Sequence, residues 1–227
     1  MSMNNLIISF GGLKGGTGKT TLCTLFATYA VEQGFPVAVM DADTQRSISN
    51  NRLDDLGIRN PPTPWRVWPL HVDDEIKDRM SKLKKVPGLV VIDCPGSVDN
   101  DNLKYVYHSS DVIIIPFRFD RMNVREAATF AETVRKISKA KLLFLPNMVT
   151  QYDDQREELV KAMERANTDL GRYGRILPCL ADRLAIRVSN TLGMNYKQRQ
   201  TVRQSFDNII EVINLLNNEP TLKRGIF

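Results

Sequence analysis

The chain has 227 residues, of which 31 are Lys or Arg and 26 are Asp or Glu, giving a formal charge of +5. That is enough chain for one α/β domain with a substantial core, and no break in composition argues for two. The moderate positive excess permits an anionic partner without demanding one, while several other classes are excluded at once. Cys23, Cys94 and Cys179 form no C-x-x-C pair, His71 and His108 have no metal-ligand spacing, and no N-terminal apolar stretch reaches signal-peptide or membrane-spanning length. A cytoplasmic protein with free thiols is expected.

Leu6 to Phe10 is an apolar run, and Gly11-Gly12-Leu13-Lys14-Gly15-Gly16-Thr17-Gly18-Lys19-Thr20-Thr21 follows it. A helical stripe of Leu22, Leu25, Phe26, Tyr29 and Ala30 comes next and ends at Gly34. Strand, glycine-rich turn and helix form the context that a phosphate-binding loop requires. Gly15, Gly16 and Gly18 let the backbone curl so that successive N–H groups face a phosphate chain, and a helix beginning near Thr20 adds its positive end. Lys19 is placed to bridge terminal phosphates, and the Thr20 hydroxyl to ligate the Mg²⁺ that accompanies them.

Val37 to Met40 reads as a strand buried on both faces, ending at Asp41-Ala42-Asp43-Thr44-Gln45. Acids at that end of a buried strand are either ordinary turn residues or ligand-facing carboxylates. Ser47 to Leu56 continues as a short helix. Pro61, Pro62, Pro64 and Pro69 then punctuate a segment read as a loop that packs Trp65 and Trp68 on the domain. Val72 to Leu83 reads as a helix, and Leu89 to Asp93 as a buried strand ending in a carboxylate, the Walker B form.

Val112 to Pro116 is a further strand, Val124 to Ile137 a helix, Lys141 to Asn147 a strand-like run and Asp153 to Leu170 a long charged helix. The alternation predicts an α/β fold with a doubly wound, mostly parallel sheet flanked by helices. Near the C-terminus Val202, Phe206, Ile209, Ile210, Ile213 and Leu216 make an apolar helical stripe, with Arg199 and Arg203 one turn apart outside it. Together with Arg183, Arg187 and Lys197 they form either a solvated face or a surface for non-specific contact with a phosphate backbone.

The run Lys14-Gly15-Gly16-Thr17-Gly18-Lys19-Thr20-Thr21 departs from the ordinary phosphate loop, because Leu13 stands where its first glycine belongs and a second lysine precedes the glycines. It resembles the deviant P-loop of the ParA/MinD family of ATPases, and the resemblance runs from residue 6 to about 217. It implies a P-loop ATPase domain over residues 1–219 with a tail over 220–227, using ATP and Mg²⁺. Lys14 corresponds to the signature lysine that reaches the nucleotide of the other subunit, so an ATP-sandwiched homodimer is implied. Asp41-Ala42-Asp43 resembles the D-x-D-P-Q switch, with Thr44 for the usual proline and Asp43 matching the acid that helps position the attacking water, itself also an expected metal position with Thr20. Asp93 would support Mg²⁺ through water, and Cys94-Pro95-Gly96 resembles the second switch.

Gly15 through Thr21 would hold the phosphates, while Asn147 and Pro178 match the family's adenine-contacting positions, although Cys179 stands where many relatives carry arginine. Relatives without an N-terminal helix-turn-helix domain bind the nucleoid through basic C-terminal residues, which points to Arg183, Arg187, Lys197, Arg199 and Arg203. A ParB-like stimulator or cargo adaptor is the implied partner, and slow ATP hydrolysis would time the partition or positioning of a plasmid, chromosome, mobile element or other cargo. The alternative is a MinD-like membrane-surface ATPase, but Thr221 to Phe227, broken by Gly225, is too short to bury a stable apolar face. Nothing in the chain marks the small-molecule pocket of a dethiobiotin synthetase-like ligase or the cluster cysteines of a nitrogenase iron protein.

Overall fold

The computed structural model describes residues 5–96, 100–150 and 156–218. Its centre is β1 (Leu6–Phe10), where alternation divides the side chains: Leu6, Ile8 and Phe10 join one apolar layer and Ile7 the other. β2 (Val37–Asp41), β4 (Leu89–Asp93), β5 (Val112–Phe117) and β6 (Lys141–Pro146) repeat the scheme, so a sheet with apolar layers on both faces follows directly from their near-continuous hydrophobic runs. With the edge strands β3 (Arg66–Pro69) and β7 (Arg175–Ile176) the sheet has seven strands in the order β3-β2-β4-β1-β5-β6-β7, and every pairing is parallel.

One layer is covered by α1 (Lys19–Glu32), α7 (Leu184–Arg187) and α8 (Tyr196–Asn218), with Ile48 of α2 (Ser47–Leu56) reaching into it. The other is covered by α3 (Ile76–Leu83), α4 (Leu103–Ser109), α5 (Arg121–Arg135) and α6 (Arg156–Leu170). α1 begins one residue before the expected Thr20. It is also more than amphipathic, since every residue from Leu22 to Ala30 is buried between the sheet and α8. Asp120 caps α5 by accepting from the Asn123 N–H at 3.0 Å, which moves its start ahead of the expected Val124. Asn195 and Gln198 make a reciprocal capping box at α8: the Gln198 N–H donates to Asn195 Oδ1 at 3.0 Å and the Asn195 N–H to Gln198 Oε1 at 2.7 Å.

The proline-punctuated segment departs from its reading as a loop. Arg66–Pro69 pairs with β2, and proline is tolerated there because the strand lies at the sheet edge and the Leu70 N–H takes over the bond to the Asp41 carbonyl. Only Trp65 packs inside, donating to Thr28 Oγ1, while Trp68 is 43% exposed. α3 starts at Ile76, four residues after the expected Val72, because Asp73 closes a turn by accepting from the Glu75 N–H. The expected start of α6 at Asp153 and the tail over 220–227 lie outside the described residues. Among the described residues no helix is long and apolar enough to cross a membrane.

Candidate functional site

The carboxyl ends of β1, β2 and β4 finish level, with Phe10 opposite Asp93 and Asp41 opposite Asp93 in the register. β2 lies to one side of β1 and β5 to the other, so this is also where the chain's crossovers change direction, the usual place for a ligand in an open α/β sheet. The loop over 11–18 leaves β1 at this point and delivers α1. Gly16 (φ 76°) and Gly18 (φ 90°) take left-handed conformations that would strain any other residue, and Gly18 forms the N-terminal boundary of α1. Along the loop Gly15 and Gly16 are exposed and Thr17 is buried, while Thr20 and Thr21 sit half-buried in the first turn of α1.

Lys19 is buried, and its ammonium donates to the Lys14 carbonyl at 2.7 Å across the loop. Burial lowers its pKa, opposed by the charges of Asp93, Cys94 and Asp43. Asp93 is the reverse case. Burial lifts its carboxyl to about 7; the neighbouring Asp41 and Asp43 push the same way, while the nearby Thr20 hydroxyl and Lys19 oppose. Among the described residues neither Asp93 oxygen has a partner at hydrogen-bond geometry, and Asp41 Oδ1 is likewise buried and unpartnered. Three buried acceptor atoms without donors, beside a threonine hydroxyl at a helix N-terminus, are what a hard divalent cation would complete. Among the described residues no set of three metal-ligating side chains closes by itself, so phosphate oxygens or water must supply the remaining ligands.

The other predicted residues divide. Asp43 lies at the mouth, half-buried, and accepts from the Gln45 N–H at 2.9 Å. Lys14 lies against α5 of its own chain, its Nζ 3.1 Å from Met122 Sδ and 3.7 Å from Glu126 Oε2. Gly96, after β4, packs so closely that a Cβ there would stand 3.2 Å from Lys19 Nζ and from the Gly15 nitrogen. Asn147 is buried beside the loop, and its amide donates to the Thr17 carbonyl at 2.9 Å. Pro178 stands beyond β7, its carbonyl accepting from Ser205 Oγ, and the Leu180 N–H donates to the Pro146 carbonyl, so positions 147 and 178 flank the same corner.

The basic residues lie apart from this mouth, on α7, α8 and their flanks. Arg199 is held by both Glu32 oxygens at 2.8 and 2.7 Å, Arg187 by Asp182, and Arg203 is 3.7 Å from Asp207. Among the described residues Arg183 and Lys197 form no ion pair.

Several features were not foreseen. Asp41, taken only as a strand-end neighbour, is completely buried, and its Oδ2 is gripped by the Ser49 N–H at 2.9 Å and hydroxyl at 2.8 Å. The signal available was a serine in the first turn of the following helix. Arg46 adopts a left-handed backbone (φ 54°) and places its guanidinium 3.4 Å from the Asp41 carbonyl and 3.3 Å from His71 Nδ1. Glu126 carried no signal, being one charged residue on an amphipathic helix.

A model of the CobQ/CobB/MinD/ParA nucleotide-binding domain matches residues 8–221. No curated protein sequence matches significantly. Solved structures with the same fold include a protein described as a plasmid partition protein from Borrelia burgdorferi bound to AMPPNP (TM-score 0.69, 20% identity, covering 93% of this chain and 98% of that one). They also include the McdA(D38A)-ATP complex of Cyanothece (TM-score 0.72, 15% identity, 94% and 97%). A third is the septum site-determining protein MinD of Pyrococcus horikoshii with Mg-ADP (TM-score 0.70, 16% identity, 93% and 98%).

Proposed function

The chain belongs to the CobQ/CobB/MinD/ParA nucleotide-binding family, and on that premise we propose that it is an ATP-dependent dimerising switch that binds DNA non-specifically and positions a cargo. The observation that carries the reading is the group of orphaned oxygens of Asp41 and Asp93 around Lys19, at the mouth of a loop whose glycines open its amides to a phosphate chain. The carboxylates of Asp41, Asp43 and Asp93 with a single buried lysine are short of positive charge, and a divalent cation such as Mg²⁺ would answer that shortage, with phosphate oxygens as its further ligands. Thr20, Asp41 and Asp93 would hold the metal, the last two directly or through water, and Mg²⁺ would neutralise charge building on the phosphates.

The chain's own residues account for the rest. Backbone N–H groups from Gly15 to Thr21 orient the phosphates, and Lys19 leaves the Lys14 carbonyl to meet them. Asp43, at the mouth, positions the hydrolytic water. Lys14, 35% exposed at its side chain, exchanges Glu126 for the phosphates of a second copy, which makes closure of the dimer conditional on ATP. Hydrolysis without further help is slow, on the order of 10⁻⁴ to 10⁻² s⁻¹, because the site supplies positioning but its motifs carry no arginine finger. A partner protein completes it and releases the DNA held through Arg183, Lys197 and their neighbours.

The test is DNA binding with ATP, ADP and no nucleotide across a salt series, with mass determined in parallel by light scattering. Steep salt dependence and a doubled mass with ATP alone support the switch. Equal DNA binding in all three states rejects it.

A further inference from the structure

We propose that Asn147 is a positioning residue of the phosphate cradle, acting through the Thr17–Gly18 peptide. That role rests on the nucleotide-binding reading above and follows from a geometric requirement. A loop that points its N–H groups inward must turn its carbonyls outward, and an outward carbonyl in a buried place needs a donor. Thr17 is buried, and its carbonyl receives the Asn147 side-chain amide at 2.9 Å across 130 residues of sequence. In a planar trans peptide the carbonyl and the next N–H point in opposite directions. Holding the Thr17 oxygen toward β6 therefore aims the Gly18 N–H the other way, into the cradle.

Further observations show the contact to be built rather than incidental. Asn147 is only 3% exposed, and its own N–H is fixed on the Phe117 carbonyl at 2.8 Å, so the side chain leaves a rigid strand end. A Cβ at position 18 would stand 2.5 Å from Asn147 Nδ2, so the glycine is demanded by this amide as well as by its φ of 90°. Met148, the next residue, is one of the non-glycine residues with a positive φ, at 57°, and its methyl end lies 3.8 Å from that same Cβ position. The strand end thus bends against the loop at the place where α1 begins.

A brace and a base contact differ in which ligands they affect. Binding of ATP, ITP and inorganic tripolyphosphate, each with Mg²⁺, is to be measured by calorimetry for the wild type, Asn147→Ala and the near-isosteric Asn147→Asp. The brace predicts that both variants weaken all three ligands by the same factor, about tenfold, because what is lost is the aim of a phosphate donor. Asn147→Asp keeps the size of the side chain but its carboxylate cannot donate to a carbonyl, and urea melts of both variants show whether each is folded before its binding is compared. In glycine-labelled ¹⁵N spectra the Gly18 amide resonance, identified by its loss in Gly18→Ala, shifts downfield with tripolyphosphate in the wild type and less in the variants.

Weakened ATP with unchanged ITP and tripolyphosphate overturns the brace in favour of a base contact and leaves the nucleotide reading intact. Unchanged tripolyphosphate binding in Asn147→Asp overturns it as well. A wild type that binds neither ATP nor tripolyphosphate overturns the nucleotide reading itself.

Discussion

Asp93 carries a carboxylate with no donor for either oxygen among the described residues, in a fold whose burial raises its pKa from near 3.8 to about 7. Between those values the nucleotide-free folded state holds a proton that the unfolded chain has released, so the contribution of Asp93 to stability is full below about pH 4 and is lost as the pH rises toward 7. The expected slope is on the order of 1 kcal/mol per pH unit, levelling off above pH 7. Urea melts of the nucleotide-free protein in EDTA should show that decline, and Asp93→Asn should flatten it and be the more stable protein at pH 8. A wild type whose stability rises over the same interval would place the proton elsewhere. Lys14 gives a second residue-scale expectation. Its ion pair with Glu126 is about one-third exposed on both sides, so screening leaves it weak. Glu126→Gln should still raise the ATP-dependent dimer fraction by about twofold to fivefold in light scattering, because a competing partner for the lysine is gone. The glycines, Lys19, Thr20 and Asp93 were legible because phosphate chemistry dictates their types and spacing. Asp41's engagement was less so, since Asp93 becomes its neighbour only when β2 and β4 pair, and a serine eight residues on is a weak signal by itself.

α2 connects that site to the far side of the molecule. At its start Ser49 grips Asp41, and one turn on Arg52 lies over the Trp65 ring at 4.1 Å. The Arg52 guanidinium donates to the Trp65 carbonyl at 2.8 Å, Thr191 Oγ1 at 2.8 Å and the Thr191 carbonyl at 3.0 Å. Asp55 accepts from the Thr191 N–H and hydroxyl, both at 2.7 Å, so this helix clamps the segment that leads into α8. Arg52→Ala should cost about 2 to 4 kcal/mol in urea unfolding, because it strands buried acceptors and uncovers Trp65. Leu53→Ala, at a neighbour 69% exposed, should stay within about 0.5 kcal/mol, and equal losses in the two variants would contradict the clamp. Elements show where pattern reading succeeds. β1, β2, β4, β5 and β6 announce themselves because strands covered on both faces need unbroken apolar runs. β3 does not, since an edge strand of Arg66, Val67, Trp68 and Pro69 buries little and owes its existence to β2 alone.

For the whole molecule, a formal charge of +5 says less than which cations already have partners. Arg199 is committed to both oxygens of Glu32 on α1, and Arg187 to Asp182, so recruiting either for DNA means breaking a pair already made. Arg183 and Lys197 carry no such commitment among the described residues, and they lie on either side of the clamped segment around Thr191. Sequence presented all five basic residues as equivalent, because Glu32 lies 167 positions from Arg199 and only the packing of α8 on α1 joins them. Reversing charge should therefore separate the two classes. Lys197→Glu and Arg183→Glu should each lower ATP-dependent DNA affinity and make the slope of log K against log salt shallower by about one. Arg199→Ala should leave that slope nearly unchanged, and its effect should appear instead as a small loss of thermal stability. If Arg199→Ala flattens the salt slope as much as Lys197→Glu does, the Glu32 pair opens on binding, and the basic surface must be redrawn to include α8's paired face.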